Sequence, residues 1–122
     1  MIEVVEGLPE GVVGLRAVGE VVGDDYRDVI IPAVESALEG RKKARLLYIA
    51  GPDFDEYEGS AVLEDAKLGA HHLFDFERVA VVTDEVWISR GIRWFAFAIP
   101  GKVQVFPYDS LDDAKEWIVA DD

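Results

Sequence analysis

The chain contains no cysteine, which excludes disulfide bonds, thiolate metal sites and cysteine nucleophiles. It also lacks any apolar run near the ~18 residues that a membrane-spanning helix needs. Its amino terminus has no basic start followed by an apolar stretch, which is the pattern of a secretory signal. We therefore expect a cytoplasmic protein.

Basic residues are scarce: 12 Lys and Arg stand against 25 Asp and Glu, so the formal net charge is -13. This surplus of negative charge repels DNA, RNA and anionic bilayers at long range, and we expect no nucleic-acid partner. The basic cluster at residues 41–45 directly follows a predicted helix, where cations complement the negative end of the helix dipole.

Catalytic motifs are absent as well. The chain has no Gly-x-Ser-x-Gly and no P-loop, and Gly7, Gly11 and Gly14 lack the spacing of a dinucleotide-binding loop. His71 and His72 are neighbours and would lie ~100° apart on a helix, so they are poorly placed to share one metal ion. We therefore predict a non-enzymatic protein with no cofactor and no metal.

Half of the 122 residues are apolar, which is enough for one hydrophobic core, and we expect a single domain over residues 1–122. The first two strands, 2–6 and 12–21, are joined by a short glycine-bounded turn and should form an antiparallel hairpin. Further apolar spacing predicts strands at 45–50, 78–83 and 103–106, and helices at 23–39, 60–73, 84–99 and from Asp109 or Ser110 onward. The side chain of Ser110 or of Asp109 should cap this last helix.

The order ββαβαβαβα predicts an α/β fold with a mostly parallel five-stranded sheet, an antiparallel edge strand and four helices. Pro32 lies inside the first helical pattern. Because proline costs ~3 kcal/mol in a helix interior, the helix should kink there or begin near that residue.

The predicted helix at 84–99 carries two apolar stripes. One stripe should face the sheet; it holds Ile88, Ile92, Phe95 and Ile99. The adjoining stripe includes Trp87, Trp94 and Phe97. Together they widen the apolar arc to roughly 220°, about twice what a core-facing helix needs.

Something should cover these aromatic residues, because burial of one large side chain contributes ~1.5–3 kcal/mol. Four coverings are open: the segment 51–59, a second subunit in a homodimer, an apolar ligand, or a bilayer interface. Arg90 borders the arc and suits an interfacial site, whereas the overall negative charge favours a neutral apolar ligand over anionic headgroups. The candidate binding residues are Trp87, Arg90, Trp94, Phe97, Phe54 and Tyr57.

Segment 51–59 is predicted to be a loop that forms a lid over this helix. It is long, begins and ends with glycine, and carries Phe54 and Tyr57. Asp53, Asp55 and Glu64 have the spacing of EF-hand ligands, but position 58 is Glu where the sharp turn needs glycine, so we predict no Ca²⁺ site.

Four short segments of the sequence carry a family resemblance. They are Ile-Pro-Ala at 31–33, the predicted strand and loop at 46–54, Glu-Asp-Ala-Lys-Leu-Gly at 64–69, and the stretch from His72 to Asp84. They resemble the SpoIIAA-like family of STAS-related bacterial proteins, most specifically in Asp75-Phe76-Glu77-Arg78 running into a strand. The resemblance spans nearly the whole chain. It implies a βα superhelix with a short antiparallel edge, a layout similar to the CRAL-TRIO lipid-exchange fold, and no well-established activity.

The resemblance also implies an alternative function. STAS proteins include anti-sigma-factor antagonists, which bind a partner and are switched by a phosphorylated serine at the start of a helix. The nearest position here is Ser60, which stands in Gly-Ser-Ala rather than in an Asp-Ser-Ser-Gly-like motif.

We therefore predict a non-enzymatic binding or regulatory module that acts through the aromatic face of helix 84–99 on an apolar small molecule, a membrane surface or a protein. The location would then be cytoplasmic, with peripheral membrane association in the membrane case. The alternative is a partner-switching regulator that resembles anti-sigma-factor antagonists and is phosphorylated at Ser60.

Overall fold

A mixed β-sheet forms the centre of the computed structural model. The structure describes residues 1–40, 42–51, 54–57, 76–86, 88, 90 and 101–120; for residues 26 and 54–57 it describes the backbone alone. Five strands form this sheet: β1 (Ile2–Val5), β2 (Val12–Ala17), β4 (Ala44–Ala50), β6 (Phe76–Thr83) and β7 (Lys102–Phe106). Two shorter strands, β3 (Gly19–Val21) and β5 (Phe54–Tyr57), pair with each other outside it.

The strand order is β1-β2-β4-β6-β7, with β1 and β2 antiparallel and every other neighbouring pair parallel. This confirms the prediction of a five-stranded, mostly parallel sheet with one antiparallel pair at its edge. The hairpin forms because Gly7 (φ 86°) and Gly11 (φ 83°) take the left-handed backbone conformation that its turn needs.

The predicted strand over 12–21 is divided in two. β2 ends at Ala17, and the chain leaves the central sheet at Gly19, whose φ is 61°. β3 then pairs in parallel with β5, so the prediction that 51–59 is entirely loop is wrong. The order of residues in β5, Phe-Asp-Glu-Tyr, does not show the alternation of apolar and polar residues that marks a strand in the sequence. Its partner is distant in sequence, which is why local patterning missed it.

The first helical segment runs without interruption from residue 23 to residue 38. It consists of α1 (Gly23–Asp25), a π-helical turn (Tyr26–Ile30) and α2 (Ile31–Leu38). Pro32 lies in the first turn of α2, so the α-helix begins near Pro32 as predicted. Ile30 before it is already helical (φ -66°, ψ -53°), so the π-helical turn continues directly into α2. Gly40, at φ 72°, follows the end of α2.

The last helix, α3 (Leu111–Val119), follows a 3-10 turn at Tyr108–Ser110. Ser110 occupies the N-cap position, but its side chain makes no capping hydrogen bond, so the predicted cap is wrong. The reason is its backbone conformation (φ -104°, ψ 25°), which differs from the extended conformation that a capping side chain requires.

The described residues hold two of the four predicted helices, the segment 23–38 and α3. The predicted helix 60–73 lies outside them. Of the predicted helix 84–99, they include Val86, Ile88 and Arg90, which are helical. Within the described part of the chain, no helix has both the length and the apolar character to cross a bilayer.

Two apolar clusters cover the two faces of the sheet. On one face, Ile30 and Val34 of the first helical segment pack with Leu15, Ala17 and Val81. On the other face, α3 packs against the centre of the sheet; this cluster holds Leu47, Ile49, Ala80, Val82, Phe106, Ala114 and Ile118. The alternation of side chains along β4 and β6 supplies both clusters from the same strands.

Candidate functional site

Tyr108 lies where the carboxyl ends of the parallel strands meet. Its backbone N–H donates to Oδ1 of Asp84 at 3.0 Å, and its hydroxyl accepts a hydrogen bond from Nη1 of Arg16 at 3.4 Å. Its ring covers Gly51 so closely that a Cβ on this glycine would collide with it. Tyr108 therefore ties the end of β7 to the ends of β2, β4 and β6.

This edge is where open α/β sheets usually bind ligands, in a crevice at which the strand order reverses. Here the order of the five strands follows the chain from β1 to β7, so the sheet has no such reversal. The polar side chains of Arg16 and Asp84 contact Tyr108. Among the residues that the structure describes, no three His, Asp or Glu side chains are grouped to hold a metal ion.

Ile88 shows which side of the predicted helix at 84–99 faces the core at its start. Only 8% of Ile88 is exposed, and it belongs to the apolar cluster on the α2 face of the sheet. Val86 is 61% exposed, and Arg90 is exposed as well. Ile88 therefore faces the core, as the helical wheel predicts. The hydroxyl of Thr83 accepts the N–H of Glu85 at 3.0 Å at this start.

The other predicted site residues are only partly covered by the structure. Phe54 and Tyr57 lie on β5, beside β3, and only their backbone is described. Trp87, Trp94, Phe97 and Ser60 lie outside the described residues. That these side chains form one binding site with Arg90 stays a prediction.

Phosphorylation of Ser60 stays a prediction too, and it has a direct measurement. The alternative of a partner-switching regulator requires that the intact mass of protein isolated from its native host under stress rises by one phosphate, and that this gain disappears in Ser60→Ala. A phosphate at a helix start gains from the helix dipole and from free backbone N–H groups. An unchanged mass in every growth condition would contradict this alternative.

The sequence did not predict the role of two arginines, which donate hydrogen bonds to carbonyl groups at the end of α3. Nη1 of Arg45 donates to the carbonyls of Ile118 at 3.0 Å and Ala120 at 2.7 Å. Nη1 of Arg78 donates to the carbonyl of Trp117 at 2.6 Å. The carbonyls at a helix end have no intrahelical partner and carry partial negative charge, so these contacts satisfy and neutralise them.

Arg78 is 5% exposed, and its guanidinium lies 5.3 Å from the ring centre of Trp117. Glu77, the residue before it, is a bulge in the pairing of β4 with β6 and lies 3.4 Å from Nε of Arg45. A single arginine inside an apolar strand was the signal that could have revealed this contact, because a buried charge needs a partner. The stretch from Phe76 to Arg78, which carried the family resemblance, thus has a structural role.

An open groove of about 720 Å³ lies between the β1–β2 hairpin and α2. Apolar and small residues form most of its lining, among them Val4, Leu8, Ala33 and Ala37. The charged residues in the lining are both acidic, Glu10 and Glu39. The groove was not predicted from the sequence, because it is formed by elements that become neighbours only in the fold.

Comparison with known proteins gives a consistent family. The chain is similar to the crystal structure of an uncharacterized protein from the DUF3478 family with a SpoIIAA-like fold, from Shewanella loihica PV-4. The TM-score is 0.75 and the sequence identity 26%, over 96% of this chain and 93% of the other. No curated protein matches the chain. The sequence profile of the SpoIIAA-like family matches residues 12–119. Because this match spans most of its length, the chain belongs to the SpoIIAA-like family.

Proposed function

We propose that this protein is a non-catalytic binding module with a regulatory role, and that it takes up a neutral apolar ligand on the aromatic face of the helix predicted at 84–99. The burial of Ile88 against the sheet is the observation that carries this proposal. The burial of Ile88 fixes which side of the first helical turns faces the core. Sequence positions at other angles of the helical wheel therefore belong to sides that face away from the core.

On a helical wheel of the sequence, Trp87 lies ~100° from Ile88, and Trp94 and Phe97 continue the same stripe. These positions border the stripe of Ile88 and do not repeat it. Exposed indole and phenyl rings forgo ~1.5–3 kcal/mol each, so an apolar ligand that covers them gains a comparable amount per ring. The regulatory role is supported by the family, whose STAS relatives act by binding.

Charge supports a neutral ligand rather than an anionic one. The chain carries a formal net charge of -13, which repels fatty-acid carboxylates and anionic headgroups at long range. The exposed Arg90 offers a local positive charge beside the aromatic stripe. A single cation of this kind orients a polar end group without reversing the overall repulsion.

Tryptophan fluorescence tests the proposal if the three indoles are separated. In Trp117→Phe, the emission comes from Trp87 and Trp94. We expect oleyl alcohol to move this emission to shorter wavelength in a saturable manner, because the ligand removes water from both rings. Phosphatidylcholine vesicles form the second arm, which distinguishes a membrane surface from a free ligand.

The matched control is the double variant Trp87→Phe with Trp94→Phe, which leaves only Trp117. Trp117 packs on Phe106 and Arg78 at the opposite face of the sheet, so its emission should not respond. If Trp117→Phe shows no shift with oleyl alcohol and no co-sedimentation with vesicles, the proposed function is wrong.

A further inference from the structure

We propose that the outer edge of β1, together with the groove between the hairpin and α2, binds an extended segment of a partner protein in which apolar and basic residues alternate. The segment would add a strand to the central sheet. This surface is separate from the helix at 84–99, so it stands or fails independently of the function proposed above.

The backbone of β1 has hydrogen-bonding groups directed away from the sheet. Met1 and Val18 exchange both of their N–H to carbonyl bonds, each at 2.8 Å. In an antiparallel pair such bonded positions alternate with non-bonded ones. Ile2 and Val4 are therefore the positions whose N–H and carbonyl groups point away from β2. Ile2 is 4% exposed and Val4 is 51% exposed, so the outward backbone groups that a partner can reach are those of Val4.

β1 is the last strand on its side of the sheet. In the part of the chain that the structure describes, no backbone group pairs with its outer edge. An unpaired edge of this kind is the template that strand addition uses, with backbone hydrogen bonds for affinity and side-chain positions for specificity.

The side chains along β1 indicate which residues the added strand would carry. Val4 is 51% exposed and lines the groove together with Ala33 and Ala37 of α2. Residues of an added strand that lie beside Val4 on this face would therefore be apolar. The next residues along the strand would point to the opposite face, beside Glu3, which is exposed.

Charge selects a basic segment. Glu39 lines the groove, and Glu3, Glu6 and Glu35 are exposed on β1, the hairpin turn and α2. Arg16 is paired across the strands with Glu3, and Lys42 and Lys43 follow the end of the groove. Acidic groups thus outnumber basic ones around the edge, which favours lysine or arginine in the partner.

A second copy of this chain fits the same edge poorly. Antiparallel pairing of two β1 strands with Ile2 of one copy opposite Val4 of the other would place Glu3 of both copies directly opposite each other, and like charges across strands are destabilising. Each copy would also bring a formal net charge of -13. The occupant is therefore a different, basic chain.

The test uses a short fluorescent peptide of alternating valine and lysine, blocked at both ends, and measures its anisotropy as the intact protein is added. We expect saturable binding that is weakened about tenfold in Val4→Pro, because proline removes the outward N–H and the backbone hydrogen bond made to it. The inward bonds of β1 come from its neighbours and should survive. Val4→Thr keeps the N–H and should bind like the parent.

Peptide controls separate strand addition from general attraction to an acidic protein. A peptide with the same valines and lysines in two blocks, and one with N-methyl groups along a single edge, should both bind at least about tenfold more weakly to the unaltered protein. Equal binding of the block peptide, no binding of the alternating one, or equal binding to Val4→Pro would each overturn the proposal. So would self-association of the protein that Val4→Pro abolishes, since a second copy would then occupy the edge.

Discussion

Replacing Arg78 with alanine is expected to lower the free energy of unfolding by about 3 kcal/mol, because the variant loses a hydrogen bond from a charged donor and a cation–π contact. The side chain is 5% exposed and donates to the carbonyl of Trp117 at 2.6 Å. Alanine leaves this carbonyl at the end of α3 without that donor and leaves the ring of Trp117 without its cation. Urea unfolding followed by circular dichroism measures the loss.

Two variants separate the contact from general effects of lost charge. Arg27→Ala removes an exposed arginine that pairs with Asp24 and should cost less than about 0.5 kcal/mol. Arg78→Met keeps an apolar stem but no donor, and should recover only the packing part of the loss. A cost for Arg78→Ala no larger than that of Arg27→Ala would show that α3 does not depend on this contact.

Replacing Gly101 with alanine is expected to cost about 3 kcal/mol, at the upper end for overpacking. A Cβ at this position would lie 2.5 Å from the carbonyl oxygen of Phe76 and 2.7 Å from that of Glu77. These are backbone atoms of the bulge in β6, so no side-chain rotation relieves the contact. Because β7 begins at the next residue, its pairing with β6 should weaken, and thermal or urea unfolding measures the loss.

Gly40→Ala is the matched control for Gly101→Ala. Gly40 has a φ of 72° and open space around the position of a Cβ, so alanine there pays about 1–2 kcal/mol for backbone conformation alone. Gly40→Asn, which tolerates that conformation better, should recover part of this cost. If Gly101→Ala unfolds like Gly40→Ala or later, the close approach of residue 101 to the bulge does not limit stability.

These two predictions concern the most family-specific part of the chain. Phe76 belongs to the apolar core, Glu77 forms the bulge and lies beside Arg45, and Arg78 holds the end of α3. Their contacts explain why this stretch identifies the fold without identifying an activity.

The candidate site was predictable only as far as local periodicity reaches. The 100° spacing of helical residues placed Ile88 toward the core, and the structure has it there. The groove beside β1 was not predictable in this way, because Val4 and Ala37 become neighbours through the crossover from β2 to α2. The outward edge of β1 was not predictable in this way either. Which residues direct their backbone groups outward depends on the register of β1 with β2 and not on side-chain type.

The sequence by itself determined the centres of the main strands, the hairpin, the start of α2 near Pro32 and the mostly parallel sheet. Apolar spacing, glycine and proline act through the nearest residues, so their effects are visible in the chain. Only the tertiary structure decided that β3 leaves the sheet to pair with β5, that Ser110 makes no cap, and that Arg45 and Arg78 hold α3. Each of these depends on groups far apart in sequence, or on a backbone angle set by packing, and residue types alone do not specify which distant groups meet.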